Sequence, residues 1–358
     1  MNNKTQILRR FQEDCYIVSY PVRPQESNLR LDQFLGLHLP SFSREFIKRK
    51  IAKKEIIILE RESECRPSTK IKSGDRIEMH CYRNEVEDEF WRGEKIPFAP
   101  LKYIYESNDL LIISKPPFMA THPTGKHLFH CATVQIEKDR GVSTYGVHRL
   151  DRETSGLLLF PKNSTLASSL VKAFEFENIK KCYFFISHKK TPKKPFPFSA
   201  KERLESLSGR IETLCYDNDS SRGKEAHTDF YPLLENEYFI VGLAFPKTGR
   251  QHQIRAHAAF HGYPLLGDKI YDGGIELFGR FKDRVASQQD HDLMQIPRHA
   301  LHALGIVFPL NGEMRWVMDH LPKDLLMWMQ KNLGIKSRCL EKEVAEKVTH
   351  HFKDFKKL

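Results

Sequence analysis

The sequence predicts an α+β protein, a small N-terminal unit followed by a larger one dominated by strands. Two observations carry this. From Leu101 onward, apolar runs of strand length recur at 110–113, 157–160, 183–186 and 239–245. Helical stretches at 164–175 and 252–261 fall between them without regular strand–helix–strand alternation, which indicates mixed strands.

Residues 1–28 carry no clear periodicity and read as an extension. Residues 29–83 read as a compact unit. Leu31, Phe34, Leu35 and Leu39 recur at helical spacing, with Asp32 on the opposite face. Pro40 and Ser41 interrupt, and Ser43 is placed to cap a second helix starting at Arg44. That helix carries Arg44, Lys48, Arg49, Lys50, Lys53 and Lys54 against one acid, Glu45. A short strand follows at 56–59, a turn at 72–75 and a second strand at 76–80. The acidic, proline-containing stretch 84–100 reads as a linker, and 101–334 as the main domain. Within it, 189–198 is a Lys/Pro-rich loop, and 335–358 reads as a charged helical tail.

The chain has 358 residues, with 40% hydrophobic and 29% charged side chains. No apolar run approaches the roughly 18–20 residues of a membrane span, and the polar start argues against a secretory signal. The seven cysteines are scattered, with none two residues from another, so paired-cysteine zinc and a disulfide framework are both disfavoured. A reducing, cytoplasmic setting is expected. The net charge of +11 implies a polyanionic partner only as a prior.

The most informative stretch is His148-Arg149-Leu150-Asp151-Arg152-Glu153-Thr154-Ser155-Gly156, running into Leu157-Leu158-Leu159-Phe160. A polar loop ahead of a strand apolar on both faces is held rigidly, because such a strand must be central. An Asp flanked by two arginines is kept ionised and can act as nucleophile, base or ligand; a structural salt bridge explains it equally well. A kinase reading of His-Arg-Leu-Asp fails for want of a glycine-rich phosphate loop and of Asp-Phe-Gly.

In the stretch 248–257, Gly249 permits a turn, and Arg250, His252 and Arg255 gather at a helix start suited to phosphate or carboxylate. His257 and His261 share a helix face, but two satisfied histidines are a better reading than zinc. Tyr183, behind Lys180 and Lys181, can stack on a base or hold a proton, though core packing is the commoner role. Lys115-Pro116-Pro117 sets a stiff loop.

In this order the segments resemble the RluA family of pseudouridine synthases over about residues 101–334. The resemblance rests on Lys115-Pro116 with His122-Pro123, the 148–160 stretch, Lys181-Cys182-Tyr183, residues 223–228 and 248–257, Gly267-Asp268 with Tyr271, and Arg298 with Leu301-His302-Ala303. Phe185 stands where the family's tyrosine strand usually has Ala, and the His expected before Pro309 is missing. Residues 29–83 are similar to the S-four (αL) RNA-binding domain, through Leu31-Asp32, Phe34-Leu35, Ser43-Arg44 and Ser73-Gly74-Asp75. There the expected glycine is replaced around Lys54-Glu55, and the usual Val-Asn-Gly turn reads Leu59-Glu60-Arg61.

This resemblance implies a mixed, mainly antiparallel central sheet and conversion of uridine to pseudouridine in RNA. The base is detached, turned and rejoined through carbon-5, which requires a flipped-out nucleotide. It places the catalytic carboxylate at Asp151, its pairing cation at Arg255 and the base-stacking tyrosine at Tyr183. Arg149 fills the vacated space, and His148, Lys181, Arg250, His252 and Gln253 contact substrate. Arg44, Lys48, Lys189 and Lys190 are expected to contact RNA. No metal and no cofactor are implied. Large-subunit ribosomal RNA is the first substrate indicated and transfer RNA the second, for a monomer without a membrane partner. The alternatives are an RNA-binding protein without catalysis, or a metal-dependent RNA hydrolase using Asp151, His252 and His257.

The charge is unevenly spread. Residues 1–90 hold 17 basic and 15 acidic side chains, whereas 161–201 hold 9 and 2. The phosphate backbone is therefore expected chiefly on the main domain, near Tyr183.

Overall fold

Apolar side chains at helical spacing fold as expected into α1 (Leu31–His38), which buries Leu31, Phe34 and Leu35. Ser43 accepts a hydrogen bond from the Phe46 amide at 3.2 Å and starts α2 (Arg44–Ala52), with Ile47 and Ile51 buried. Lys54, where the resemblance expects glycine, adopts the left-handed conformation at φ 58°. The computed structural model describes residues 7–358 apart from 13–14, 40–41, 60, 62–64, 84, 125–126 and 128. The break at Pro40 and Ser41, the turn residue Glu60 and residues 1–6 lie outside the described residues.

Chain packing defines two compact units, one of residues up to Asp88 with His122–Val142, the other of Glu89–Thr121 with Ser143–Leu358. The first contains an antiparallel sheet ordered β1-β2-β4-β3, from β1 (Leu8–Gln12), β2 (Cys15–Pro21), β3 (Ile56–Ile58) and β4 (Arg76–Tyr82). The stretch read as an extension is thus corrected: it supplies two strands. All of Cys15–Pro21 is buried, so this strand has no polar face and its sequence no alternation to detect. Helix α3 (Ala132–Arg140) belongs to the same unit, where the Tyr16 hydroxyl donates to Glu137.

The second unit opens with a hairpin of β5 (Glu89–Trp91) and β6 (Glu94–Ile96), so the predicted linker is partly ordered pairing. Its main sheet has ten strands in a mainly antiparallel arrangement. In chain order come β7 (Lys102–Glu106), β8 (Leu110–Lys115), β9 (Ser155–Pro161), α4 (Ser164–Glu175), β10 (Lys180–His188) and β11 (Phe198–Ala200). A separate hairpin, β12 (Arg203–Ser206) with β13 (Thr213–Tyr216), precedes β14 (Thr228–Glu235), β15 (Phe239–Pro246) and α5 (Gln253–Phe260). Helices α6 (Ile275–Lys282) and α7 (Gln288–Met294) lead to β16 (Leu301–Leu310), β17 (Glu313–Met318), α8 (Lys323–Leu333), α9 (Ser337–His351) and β18 (Lys356–Lys357).

The main path is β11-β14-β15-β10-β16-β9-β8-β7, with β17 and β18 branching from β16. Among the described residues, only the β9–β16 and β17–β18 pairings are parallel. Gly156 makes the first possible. Its φ is +112°, and a Cβ there would lie 2.3 Å from the Ala303 carbonyl oxygen.

Strand periodicity distributes β10 between two cores. Cys182, Phe184 and Ile186 pack with residues of α8 and α9. Tyr183 and Phe185 face the opposite way, among Ile254 and Ala258 of α5. Phe185 is accommodated by its cross-strand partner Gly242, where a Cβ would come within 2.7 Å of the Phe185 ring. The C-terminal stretch is also corrected, since it is core rather than tail. Leu340, Val344, Val348 and Phe352 are buried on one face of α9 and its end. Among the described residues no helix is long and apolar enough to cross a membrane.

Candidate active site

The loop before β9 is held from both sides. Thr121 donates to the Leu150 carbonyl at 3.3 Å and accepts from the Leu150 amide at 3.2 Å. Lys115, fully buried at the end of β8, donates to the carbonyls of Pro116, Met119 and Arg152 at 2.9, 2.9 and 3.1 Å. The Thr154 amide closes a turn on the Asp151 carbonyl at 3.0 Å. These bonds fix the backbone around Asp151, whose side chain stays 26% exposed.

Arg255 projects from α5 toward that carboxylate. Its Nη1 donates to Asp151 at 2.9 Å, while Nε and Nη2 grip both oxygens of Asp268 at 2.7 and 2.9 Å. Asp268 is wholly buried and also accepts from the amides of Ile270 and Tyr271 at 3.1 and 3.0 Å. Burial would raise the Asp151 carboxyl, but the positive potential of His252, Arg255 and His299 outweighs it and holds the group at about 2. At neutral pH the permanent charge in that set is Arg255.

His252 stands 3.8 Å from Asp151 through Nε2, with Nδ1 3.1 Å from the Tyr271 hydroxyl. Burial and the neighbouring Arg255 push it down to about 4, so it is neutral at physiological pH. The Tyr271 hydroxyl accepts from the Thr213 amide at 2.7 Å and thereby ties the β12–β13 hairpin to the site.

A cavity of about 420 Å³ opens beside Asp151. Tyr183, Lys181, Ile254 and Leu301 line it together with Arg149, Arg255 and His252. Burial, then the Asp151 charge, push the Tyr183 phenol up, so it is a neutral ring at neutral pH. A pocket of mixed lining, in which an aromatic ring and apolar side chains stand beside a fixed carboxylate and guanidinium, suits a planar heterocycle attached to a sugar.

The predicted residues divide by what they touch. Asp151, Tyr183, Arg255, His252, Arg149, Lys181, His148, Gln253 and Arg250 all line the cavity. Lys181 donates to the Thr248 carbonyl at 2.8 Å, and burial brings its ammonium down to about 8. The last three of these residues also brace the site. His148 accepts from the Leu159 amide at 2.9 Å and stacks on Phe174. Gln253 bonds to Thr248, Thr228, the His227 carbonyl and the Arg250 amide. Arg250 donates through Nε to the Glu225 carbonyl at 2.8 Å. Lys189 and Lys190 lie elsewhere in this unit and are paired with Glu235 and Asp272. In the first unit, Arg44 and Lys48 are exposed on α2.

His257 does not join Asp151. Its ring nitrogens meet the Thr228 hydroxyl at 3.0 Å and the Glu202 carbonyl at 2.9 Å. Among the described residues no group of three or more His, Cys, Asp and Glu could hold a metal ion. Sequence reasoning missed Asp268 as the brace of Arg255, and the roles of Thr121 and Lys115. Gly267-Asp268 was visible only as part of a resemblance.

A family model described as RNA pseudouridylate synthase matches residues 109–260. A ribosomal large subunit pseudouridine synthase D from Blochmanniella floridana is 30% identical over 85% of this chain and 95% of its own. A ribosomal large subunit pseudouridine synthase C from Rickettsia bellii is 32% identical over 68% of this chain and 82% of its own. Among solved structures, human RNA Pseudouridylate Synthase Domain Containing 1 superposes with a TM-score of 0.51 at 22% identity. It covers 63% of this chain and 86% of that one, a likeness of fold.

Proposed function

The chain belongs to the RluA family of RNA pseudouridine synthases, isomerases acting on RNA, and we propose that it converts uridine in large-subunit ribosomal RNA through Asp151. The observation that carries the role of Asp151 is its pairing with Arg255 at the mouth of the Tyr183 cavity. A carboxylate held at about 2 is ionised throughout the physiological range, available to attack or to stabilise positive charge as the glycosidic bond breaks. The target nucleotide enters flipped out of its stack, with uracil against Tyr183 and ribose toward Asp151. Arg149, exposed beside the cavity, takes the space that the base leaves.

Ribosomal RNA is favoured by the names of the synthases C and D that this chain resembles. The first unit is read as an S-four-like RNA-binding module, with Arg44 and Lys48 on α2 as phosphate contacts. The chain is read as a cytoplasmic monomer.

Tritium release from RNA labelled at uridine carbon-5 tests the reading. Wild-type protein should release tritium, and Asp151→Asn should release none while keeping its melting temperature. Equal release by the variant would remove Asp151 from the chemistry. Mapping pseudouridines in ribosomal and transfer RNA, with and without the protein, identifies the target.

A further inference from the structure

Asp151 does not border one cavity but two. A second hollow of about 410 Å³ shares Arg149, Asp151, Arg250, His252 and Arg255 with the first and continues from them to Ile211, Lys269 and Phe278. Its far wall is different in kind. Ile211 and Phe278 give it an apolar flank, and Arg152 and Lys269 add positive charge against Glu153.

Both apolar groups are presented by anchored elements. Ile211 lies two residues before Thr213, whose amide is pinned by the Tyr271 hydroxyl, and it is 40% exposed. Phe278 lies on α6, which is seated through buried Leu277 and through Phe281 stacked on Trp91. An exposed aliphatic side chain and an aromatic ring so held form a ready platform for a second planar base. Arg149 borders both cavities and makes no hydrogen bond or ion pair with any described residue, so its guanidinium is uncommitted.

We propose that this second cavity is a subsite for a nucleotide adjoining the target uridine, its base on Phe278 and Ile211. The proposal rests on the assignment of the first cavity to the target. With the target ribose at Asp151, the chain leaving that ribose passes the shared rim, where Arg149 stands. A neighbouring base lodged there is kept from restacking with the flipped one. The subsite also gives the protein a grip on nucleotide identity next to the modified position, which the first cavity cannot supply.

The test uses the full-length protein and short RNAs carrying the mapped uridine, with an abasic ribose placed at the position before it or after it. Pseudouridine formation is followed as kcat/KM. One of the two abasic RNAs should lower wild-type kcat/KM by about 5- to 100-fold, the range that loss of one base–aromatic stack supports. Phe278→Ala should lower kcat/KM on intact RNA by a similar factor and no longer distinguish that abasic RNA from the intact one. Ile211→Ala, at an exposed turn, should show the same convergence in smaller degree and serves if Phe278→Ala does not fold. If wild type treats both abasic RNAs like the intact one, or if both variants keep the full wild-type penalty, the subsite does not exist. A wild-type protein that forms no pseudouridine on intact RNA would instead overturn the reading of the first cavity.

Discussion

Arg255 touches Asp151 with a single nitrogen and holds Asp268 with two. The buried pair sets where the guanidinium sits, and the one remaining nitrogen is aimed at the exposed carboxylate. Removing the pair should therefore affect turnover more than binding. Asp268→Asn is expected to lower kcat about 10- to 100-fold, the effect of a small misplacement in a site, with KM little changed. Asp268→Ala should also lose about 3–5 kcal/mol of stability, because it strands a buried guanidinium. Steady-state kinetics with urea unfolding separate the two effects, and a KM-only change would contradict the positioning role.

Three buried histidines make the fold sensitive to mild acid. Burial pushes His252, His257 and His302 each down to about 4 from an ordinary 6.5. Between those values the unfolded chain binds more protons than the folded one. Their contribution is complete above about pH 6.5 and declines as pH falls toward 4. Asp151, at about 2, stays ionised through this window. The urea midpoint should drop steadily from pH 7 to pH 5. A flat midpoint over that range would show that the histidines are not held neutral.

Gly156→Ala tests the close approach of β9 to β16. Both its φ of +112° and the Ala303 backbone oppose a side chain. A loss of at least about 2 kcal/mol is expected from the backbone strain and clash together. The loop carrying Asp151 leads directly into this strand, so activity should fall even where the variant remains folded. Circular dichroism melting and tritium release, measured on the same preparation, check both.

The basic segment 161–201 can be tested by salt dependence. Replacing Lys189, Lys190, Lys193 and Lys194 with Ala should weaken RNA binding and flatten its dependence on log salt. The slope should fall by about 0.7–0.9 for each lysine that reaches a phosphate. Lys189 and Lys190 already hold Glu235 and Asp272, so a change of about one or two is expected rather than three or four. An unaltered slope would place the RNA backbone elsewhere.

What the sequence revealed follows from how far apart the cooperating residues are. The 148–160 stretch was legible because a charged loop and a fully apolar strand are contiguous. Ser43 as a cap and α4 at Ser164–Glu175 were legible for the same local reason. The pairing of Arg255 with Asp268 was not, because 13 residues separate them and a helix end and turn bring them together. Strand β2 escaped because burial on both faces erases the alternation by which a strand is read. In α9, Leu340, Val344 and Val348 do recur every four residues, but the surrounding charges hid a stripe that the sheet needed.

The contact between Phe185 and Gly242 also constrains how this sequence can change over time. Any side chain at position 242 collides with the ring opposite, and any smaller residue at 185 leaves a hole beside a glycine. The Tyr231 carbonyl oxygen stands closer still, at 2.5 Å from a Cβ at 242, so that position is closed from two sides. A lineage that shortens Phe185 still meets that oxygen, so glycine is held at 242 whatever stands at 185. The dependence runs one way: 242 stays glycine in every descendant, and 185 is free to change only at the cost of a hole that 242 cannot fill.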